Sequence, residues 1–188
     1  MDCRINAYPY DGGRKKIGNL QRIDLVMIDL DQSNFGSRLA LDSALAKTLR
    51  NIKDTFGIEF KSSVLWSGNG YHIYIPMESR NTLEERPEFN RFEEPSKQLL
   101  RFVEWYLSNG KCDLVHNNTV SFNNCMLRIP GSHNSKCIQR NDGKADSSTQ
   151  VGIINRWNDI RAPIYLLIGS FLAYLVGHKM NEIERHSL

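Results

Sequence analysis

The sequence predicts a mixed α+β domain, and three observations lead to this prediction. Apolar runs typical of strands alternate along the chain with stretches of helical periodicity. One pair of predicted strands flanks an Asn-Gly turn, which is typical of a β-hairpin rather than of a doubly wound parallel sheet. The 188 residues are 40% hydrophobic and 24% charged, which favours one globular domain with a buried core.

The first half of the chain begins with a predicted irregular arm over residues 1–20, which is rich in glycine and charge. The first strand is predicted over 22–31, because its apolar run is nearly continuous, as in a strand covered on both faces. A helix of about 20 residues follows, since apolar residues such as Leu41, Leu45 and Leu49 recur at helical spacing.

The middle of the chain continues with strands over 62–66 and 71–76, which form the predicted hairpin. Residues 78–94 are polar and charged, and we interpret them as a surface loop. A second amphipathic helix is predicted over 95–107. Short β-like pieces follow at 113–115 and 119–129.

The last part of the chain contains a predicted polar loop over 130–148 and a final strand over 150–155. A C-terminal helix is predicted over 159–180. Its apolar stretch contains two tyrosines and a serine and is too short for a comfortable membrane span, so we expect a buried helix. Asp159 is placed to cap this helix, Pro163 suits its first turn and Gly177 suits its end.

Net charge and cysteine usage exclude two classes of protein. A net charge of +3 excludes a strongly basic protein that coats nucleic acid, although local basic patches remain open. The cysteines are irregularly spaced and follow no secretory signal peptide, which argues against a disulfide scaffold and indicates a reducing compartment, for which we expect the cytoplasm. They are Cys3, Cys112, Cys125 and Cys137.

Asp29 and Asp31 are the first candidate functional residues. Residues i and i+2 of a strand point to the same face, so these carboxylates lie side by side at the end of an apolar strand. Paired carboxylates repel each other unless something neutralises them, and a hard divalent cation such as Mg²⁺ or Mn²⁺ does so. The alternative is a solvated pair at a strand end.

His72 and a basic stretch are the next candidates. His72 follows the turn Ser67-Gly68-Asn69-Gly70, whose backbone N–H groups could bind a phosphate beside the histidine. Further along the chain, Arg128 and Lys136 bracket a Pro-Gly bend that can direct both cations at one anion. A solvated basic hairpin is the alternative interpretation of that stretch.

Taken in order, these motifs resemble the archaeo-eukaryotic primase superfamily, and most closely the primase-polymerases of plasmids and viruses. Ile28-Asp29-Leu30-Asp31 resembles the family's metal-binding hhDhD strand, and the segment that runs from Ser67 to His72 resembles its nucleotide-binding SxH-like motif. Arg128-Ile-Pro-Gly-Ser-His-Asn134-Ser-Lys136 resembles its R-x-P-G-[ST]-x-N-x-K element. The resemblance covers residues 22–155.

The resemblance implies a catalytic sheet related to the RNA-recognition-motif fold, flanked by helices. It also implies a DNA-dependent primase or DNA polymerase that acts in DNA replication by two-metal phosphoryl transfer. Asp113 resembles the third metal carboxylate beside Asp29 and Asp31, although it lacks the usual apolar residues before it, and Asp142 or Asp146 could replace it.

In this interpretation the incoming nucleoside triphosphate binds a set of five residues. They are Ser67, His72, Arg128, Asn134 and Lys136. The implied partners are single-stranded DNA template and primer, and relatives often carry a helicase, so further domains remain open. Template binding is expected at the basic residues Lys15, Lys16 and Arg140, with Arg14 and Lys144 nearby.

A zinc site is a less favoured expectation, because many relatives carry a zinc stem but no C-x-x-C pair occurs here. The available ligands are Cys112, His116, Cys125 and Cys137.

Two other function classes compete with the primase interpretation. Asp29 and the residues after it also resemble the nucleophile strand of haloacid-dehalogenase-like phosphatases, but no later apolar strand ends in the acidic pair which that chemistry requires. A non-catalytic nucleic-acid-binding module would need aromatic residues on one sheet face, whereas Tyr71 and Tyr74 are predicted on opposite faces. A rolling-circle nuclease would need a His-x-His pair, which the sequence lacks.

Overall fold

The computed structural model describes residues 2–7, 23–78, 83, 86–89, 91–92, 94–112 and 126–186, with side chains as far as Gly177. This part of the chain is mixed α+β, as predicted. Its strands are β1 (Arg4–Asn6), β2 (Leu25–Asp31), β3 (Ser63–Trp66), β4 (Gly70–Glu78), β5 (Met126–Arg128), β6 (Gly152–Asn155) and β7 (Ala162–Pro163). Its α-helices are α1 (Arg38–Phe56), α2 (Pro95–Ser108), α3 (Ser135–Arg140) and α4 (Tyr165–His186).

The main sheet has the strand order β2-β4-β3-β6, and all three pairings are antiparallel. The predicted hairpin is therefore confirmed as β3 and β4. β7 extends the sheet by pairing in parallel with the end of β4. A separate two-stranded ribbon is formed by β1 and β5.

The hydrophobic core lies on one face of the main sheet. Val26, Ile28 and Leu30 of β2 are almost fully buried. They alternate with Leu25, Met27, Asp29 and Asp31, of which only Met27 is buried, so the strand is not covered on both faces, contrary to the prediction. Val26, Ile28 and Leu30 form one apolar cluster with residues of β4 and of helices α1, α2 and α4. Because side chains alternate along a strand, the residues between them, including Asp29 and Asp31, face the opposite side of the sheet.

Local capping explains the bounds of α1 and α2. Ser37 caps α1 by accepting a hydrogen bond from the backbone N–H of Ala40, and Gly57, with a φ of 98°, ends it. Pro95 occupies the first turn of α2, where it loses no helical hydrogen bond, and Asn109 ends the helix in the left-handed conformation.

The C-terminal helix is present, but its bounds differ from the prediction over 159–180. Pro163 lies in β7 rather than in a helical turn, and Asp159 has a φ of 65° instead of the extended backbone typical of a cap. The helix continues through Gly177, since one glycine costs a helix only about 1 kcal/mol. No helix among the described residues is long and apolar enough to cross a membrane.

Three other segments correct the sequence-based predictions. The arm over 1–20 contains a strand, β1, because it finds a partner in β5. The predicted loop over 130–148 contains the short helix α3, which Asn134 caps. The predicted surface loop over 78–94 buries Leu83 and Phe89 completely against the core.

The strand predicted at 113–115 and most of the β-like segment at 119–129 lie outside the described residues. The end of the latter segment is confirmed as the strand β5.

Candidate active site

The polar face of the main sheet brings together the carboxylates of β2 and the histidine of β4. Asp29 lies directly opposite His72 in the β2–β4 pairing, and Asp31 lies opposite Gly70. Tyr74 shares the face of His72, whereas Tyr71 lies on the core side and is buried. The prediction that the two tyrosines lie on opposite faces is thus confirmed.

His72 is held between Tyr74 and Asp29. Its Nδ1 lies 3.4 Å from the Tyr74 hydroxyl, and that hydroxyl accepts a hydrogen bond of 3.2 Å from the backbone N–H of Arg128. When the Tyr74 hydroxyl donates to Nδ1, the neutral ring carries its proton on Nε2. Nε2 lies 3.7 Å from Oδ1 of Asp29, so its N–H is directed to the carboxylate side of the site.

The imidazole of His72 is uncharged at neutral pH. Burial lowers its pKa to about 3, and the positive charges of Arg128 and Arg4 act in the same direction, while Asp31 opposes them. The approach of His72 to Asp29 is therefore a contact of a neutral ring with a carboxylate rather than an ion pair. Both arginines therefore lie close enough to His72 for their charges to act on its imidazole.

Asp31 has a local structural role in addition to its place on the polar face. Its Oδ1 accepts hydrogen bonds from the backbone N–H and the hydroxyl of Ser33, both at 2.8 Å. The same oxygen accepts one of 2.9 Å from Nδ2 of Asn69. Asp31 thereby caps the 3₁₀ turn Gln32–Asn34 and fixes it to the hairpin turn.

The turn at 67–70 is packed too closely for side chains at its glycines. A Cβ at Gly70 would overlap the backbone carbonyl of Leu30 and lie 3.0 Å from the Cα of Asp31. Gly68 has a φ of 89°, and a Cβ there would lie 3.2 Å from the Sγ of Cys137. Gly70 therefore permits the close approach of this turn to the end of β2, and Gly68 permits its approach to Cys137.

Asn134 supports the same turn from α3. Its Nδ2 donates a 2.8 Å hydrogen bond to the carbonyl of Ser67, and its Oδ1 accepts from the backbone N–H of Lys136. Ser67 and Asn134 are buried, whereas the side chain of Lys136 is exposed. The structure thus brings Ser67 of the turn into contact with Asn134, the N-cap of α3.

A cluster of hydrogen-bond donors surrounds Asp2 where the β1–β5 ribbon meets α3. The carboxylate of Asp2 accepts hydrogen bonds from Arg4, from Nη1 of Arg128 at 3.2 Å and from the hydroxyl of Ser135 at 2.8 Å. Burial raises the pKa of Asp2, but these hydrogen bonds and the charges of Arg128 and Arg4 outweigh it and lower the pKa to about 2.

An open cleft of about 680 Å³ lies beside the 67–70 turn. Its lining includes Arg38, whose guanidinium lies 4.0 Å from the centre of the Trp66 ring. Arg140 lines it too and donates a 2.9 Å hydrogen bond to Oδ1 of Asn69. Arg140 is thus linked through Asn69 to Asp31.

Glu104 of α2 also contacts the site, although no sequence motif singles it out. Its side chain is 1% exposed, and Oε1 accepts a 3.2 Å hydrogen bond from the backbone N–H of Asp29. β2 is an edge strand of the main sheet, so Glu104 satisfies a backbone donor that no neighbouring strand reaches. One feature of the sequence could have indicated this role: an acidic residue lies between Leu100 and Leu107 on the apolar face of the helix.

The fit of a divalent cation depends on Asp29 and Asp31. Both present hard oxygen ligands on one face of the sheet, which fits Mg²⁺ or Mn²⁺. Among the described residues, no group of three or more His, Cys, Asp or Glu side chains could hold a metal ion. Asp113, the predicted third carboxylate, lies outside the described residues, as do the candidate template ligands Lys15 and Lys16.

The alternative metal ligands are not brought to this site. Asp146 is exposed and accepts hydrogen bonds from Ser148 and Asn141, which stabilise its own loop. Asp142 is exposed, with a φ of 51°.

For the expected zinc site, Cys112 is buried in the apolar core, whereas Cys137 packs beside Gly68. The other two candidate zinc ligands, His116 and Cys125, lie outside the part of the chain that the structure describes.

Comparisons with known proteins return no match. No known protein family, curated protein or solved structure is significantly similar to this chain.

Proposed function

We propose that this chain is a nucleotidyltransferase of the primase-polymerase type, which adds nucleotides from nucleoside triphosphates on a DNA template. The observation that carries the proposal is one juxtaposition. The same-face carboxylates Asp29 and Asp31 lie beside His72, and the charges of Arg128 and Arg4 lie close enough to lower the pKa of that histidine. Nucleotidyl transfer needs this combination of acidic metal ligands and phosphate-binding cations.

Asp29 and Asp31 are the proposed ligands of Mg²⁺ or Mn²⁺, with Asp113 as the third. When bound, such cations neutralise phosphate charge and lower the pKa of the attacking 3′-hydroxyl. Asp31 is oriented by Ser33 and Asn69 through hydrogen bonds to one of its oxygens. These contacts fix the carboxylate before any ligand binds, which limits reorganisation during the reaction.

The triphosphate of the incoming nucleotide is assigned to His72, Arg128 and Lys136. A neutral His72 with its proton on Nε2 donates a hydrogen bond to a phosphate oxygen without needing an acidic pH. Arg128 contributes a guanidinium on a side chain that is 9% exposed, in surroundings where charge-assisted hydrogen bonds are strong. Ser67 and Asn134 contribute indirectly, because they hold the turn next to the site.

The template is assigned to the cleft beside the 67–70 turn. Arg140 and Arg38 line this cleft. Arg140 offers positive charge to a single strand, with Lys144 close in sequence, whereas the charge of Arg38 is paired with Asp42 at 2.9 Å. Phosphate contacts of this kind position a strand without reading its sequence. Lys15 and Lys16 remain part of the proposal as further contacts.

A sheet related to the RNA-recognition motif is also part of the proposal. The order β2-α1-β3-β4-α2 is that of the first five elements of a β-α-β-β-α-β unit. Attachment of β6 beside β3 gives the sheet an additional edge strand.

The experiment is a primer-extension and primer-synthesis assay with Mg²⁺ or Mn²⁺, in which wild type is compared with Asp29→Asn and Asp31→Asn. These isosteric changes remove one negative charge each and keep the side-chain volume. Each should reduce incorporation at least about a hundredfold, because two-metal catalysis depends on charge at the ligands. Circular dichroism and urea unfolding establish that both variants are folded.

Asp54→Asn is the matched control, because it makes the same substitution at an exposed site on α1. It should keep wild-type incorporation. Full activity of both Asp29→Asn and Asp31→Asn would contradict the assignment of the metal ligands. Absence of incorporation by wild type, together with hydrolysis of a generic phosphate ester, would instead support the phosphatase alternative.

A further inference from the structure

The carboxylate of Asp2 occupies a cluster with the chemistry of a phosphate site. Arg4 contacts it through Nε at 3.3 Å and Nη2 at 3.2 Å, Arg128 through Nη1 at 3.2 Å, and Ser135 through its hydroxyl at 2.8 Å. Two guanidiniums and one hydroxyl are donors of the kind that bind phosphoryl oxygens in several directions. A carboxylate uses only part of that capacity, since it has one charge and two oxygens.

The cluster lies on a stable framework rather than on free side chains. Arg4 pairs with Arg128 in the β1–β5 ribbon, so the side chains of both come from adjacent strands. The backbone N–H of Arg128 is fixed to the hydroxyl of Tyr74, which also contacts His72. The cluster is therefore connected through Tyr74 and His72 to the polar face that carries Asp29.

We infer that Arg4, Arg128 and Ser135 form the subsite for the terminal phosphates of the nucleoside triphosphate, and that Asp2 occupies this subsite as an internal competitor until the nucleotide displaces it. This inference rests on the proposed function and extends it by adding two ligands, Arg4 and Ser135, and one inhibitory residue. Asp2 pairs with both guanidiniums when no nucleotide is bound and offsets one of their two positive charges, so neither cation is left unpaired beside the buried His72.

The cost of displacing Asp2 appears as weakened nucleotide binding. When the binding-competent form is only a fraction of the molecules, the apparent affinity falls by that fraction. A population in which Asp2 occupies the subsite in about nine-tenths or more of the molecules would weaken binding about tenfold or more. Removing the charge of Asp2 should therefore strengthen nucleotide binding by the same factor.

The test is isothermal titration of tripolyphosphate, the phosphate part of the substrate alone, into wild type, Asp2→Asn and Asp54→Asn. Asp2→Asn should bind about tenfold more tightly than wild type or more, and adding Arg4→Gln to Asp2→Asn should cancel most of the gain. Asp54→Asn makes the same change of net charge elsewhere and should bind like wild type. Equal affinity of Asp2→Asn and wild type would overturn the inference.

A single-stranded oligonucleotide without a terminal phosphate is the second titrant. Its affinity should change far less than that of tripolyphosphate between wild type and Asp2→Asn. An equal gain for both titrants would overturn the inference, because the subsite would then bind backbone phosphates of a nucleic acid.

Nuclear magnetic resonance of wild type with carboxyl-labelled aspartate provides a measurement that needs no variant. Tripolyphosphate should shift the Asp2 carboxyl resonance, and an unmoved resonance at saturation would overturn displacement. Neither titration requires turnover. Failure of this inference would therefore appear in the titrations, whereas failure of the proposed function would appear in the incorporation assay.

Discussion

Substitution of Gly70 by alanine tests the close approach that joins the hairpin to the end of β2. The new Cβ would overlap the carbonyl of Leu30 and lie 3.0 Å from the Cα of Asp31 and 3.1 Å from the carbonyl carbon of Leu30. All three neighbours are backbone atoms, so no side chain can rotate away. Relief requires β2 and β4 to separate at this end.

The expected loss of stability in Gly70→Ala has two contributions. Forcing one extra methyl group into a packed position costs about 1–3 kcal/mol, and weakening one or two pairing hydrogen bonds adds about 0.5–1.5 kcal/mol each. We therefore expect Gly70→Ala to lower the free energy of unfolding by about 2–4 kcal/mol. Incorporation should also fall, since Gly70 pairs with Asp31.

Gly152→Ala is the matched control, because Gly152 also lies in the main sheet but a Cβ there would meet nothing within 4 Å. Its stability should stay within about 1 kcal/mol of wild type or rise slightly. Urea unfolding followed by circular dichroism measures the stability of both variants. A free energy of unfolding that is lower by about 2–4 kcal/mol lowers the urea midpoint by roughly 1–2 M at a typical slope. Equal midpoints for the two variants would refute the packing argument.

The other predictions concern capping, acid stability and template binding. Asn134→Ala should lower the free energy of unfolding by about 2 kcal/mol in urea, because it removes a helix cap and leaves the buried Ser67 carbonyl without its donor. The pKa of Asp2 lies below its ordinary value of 3.8, at about 2, so its stabilisation is complete above pH 3.8 and is lost as the pH falls towards 2. Wild type should therefore lose about 2 kcal/mol more than Asp2→Asn between pH 6 and pH 2 in urea unfolding, and parallel losses would contradict this. Replacing Arg140 and Lys144 by alanine should reduce the log–log salt slope of single-strand binding by about 0.7 for each lost contact, as fluorescence anisotropy can measure, and an unchanged slope would place the template elsewhere.

Periodicity and turn chemistry were sufficient to predict the main elements. The apolar run in β2, the Asn-Gly hairpin and the helical spacing in α1 are local patterns, and each element was found close to its predicted position. β1 could not be predicted in the same way, because three residues of an irregular arm become a strand only through pairing with β5. Residues 162–163 likewise form a strand rather than a helical turn because the end of β4 lies beside them.

The candidate site was predictable only where its residues lie in one strand. Asp29 and Asp31 share a face by the rule of alternation. His72 lies opposite Asp29 because β2 pairs with β4, and no local pattern predicts a pairing between strands that α1 and β3 separate in sequence. Glu104 and Asp2 reach the site from elements distant in sequence. No local pattern specifies such contacts, which depend on how α2 and the β1–β5 ribbon pack against the sheet.

The central claim is that the polar face holds divalent cations and a triphosphate together. Crystals grown with Mn²⁺ and a non-hydrolysable nucleoside triphosphate analogue, measured at the manganese absorption edge, test this claim most directly. We predict an anomalous peak within about 2.0–2.6 Å of carboxylate oxygens of Asp29 and Asp31, with the phosphates directed to Arg128. Manganese bound away from both carboxylates, or a triphosphate remote from Arg128, would contradict it.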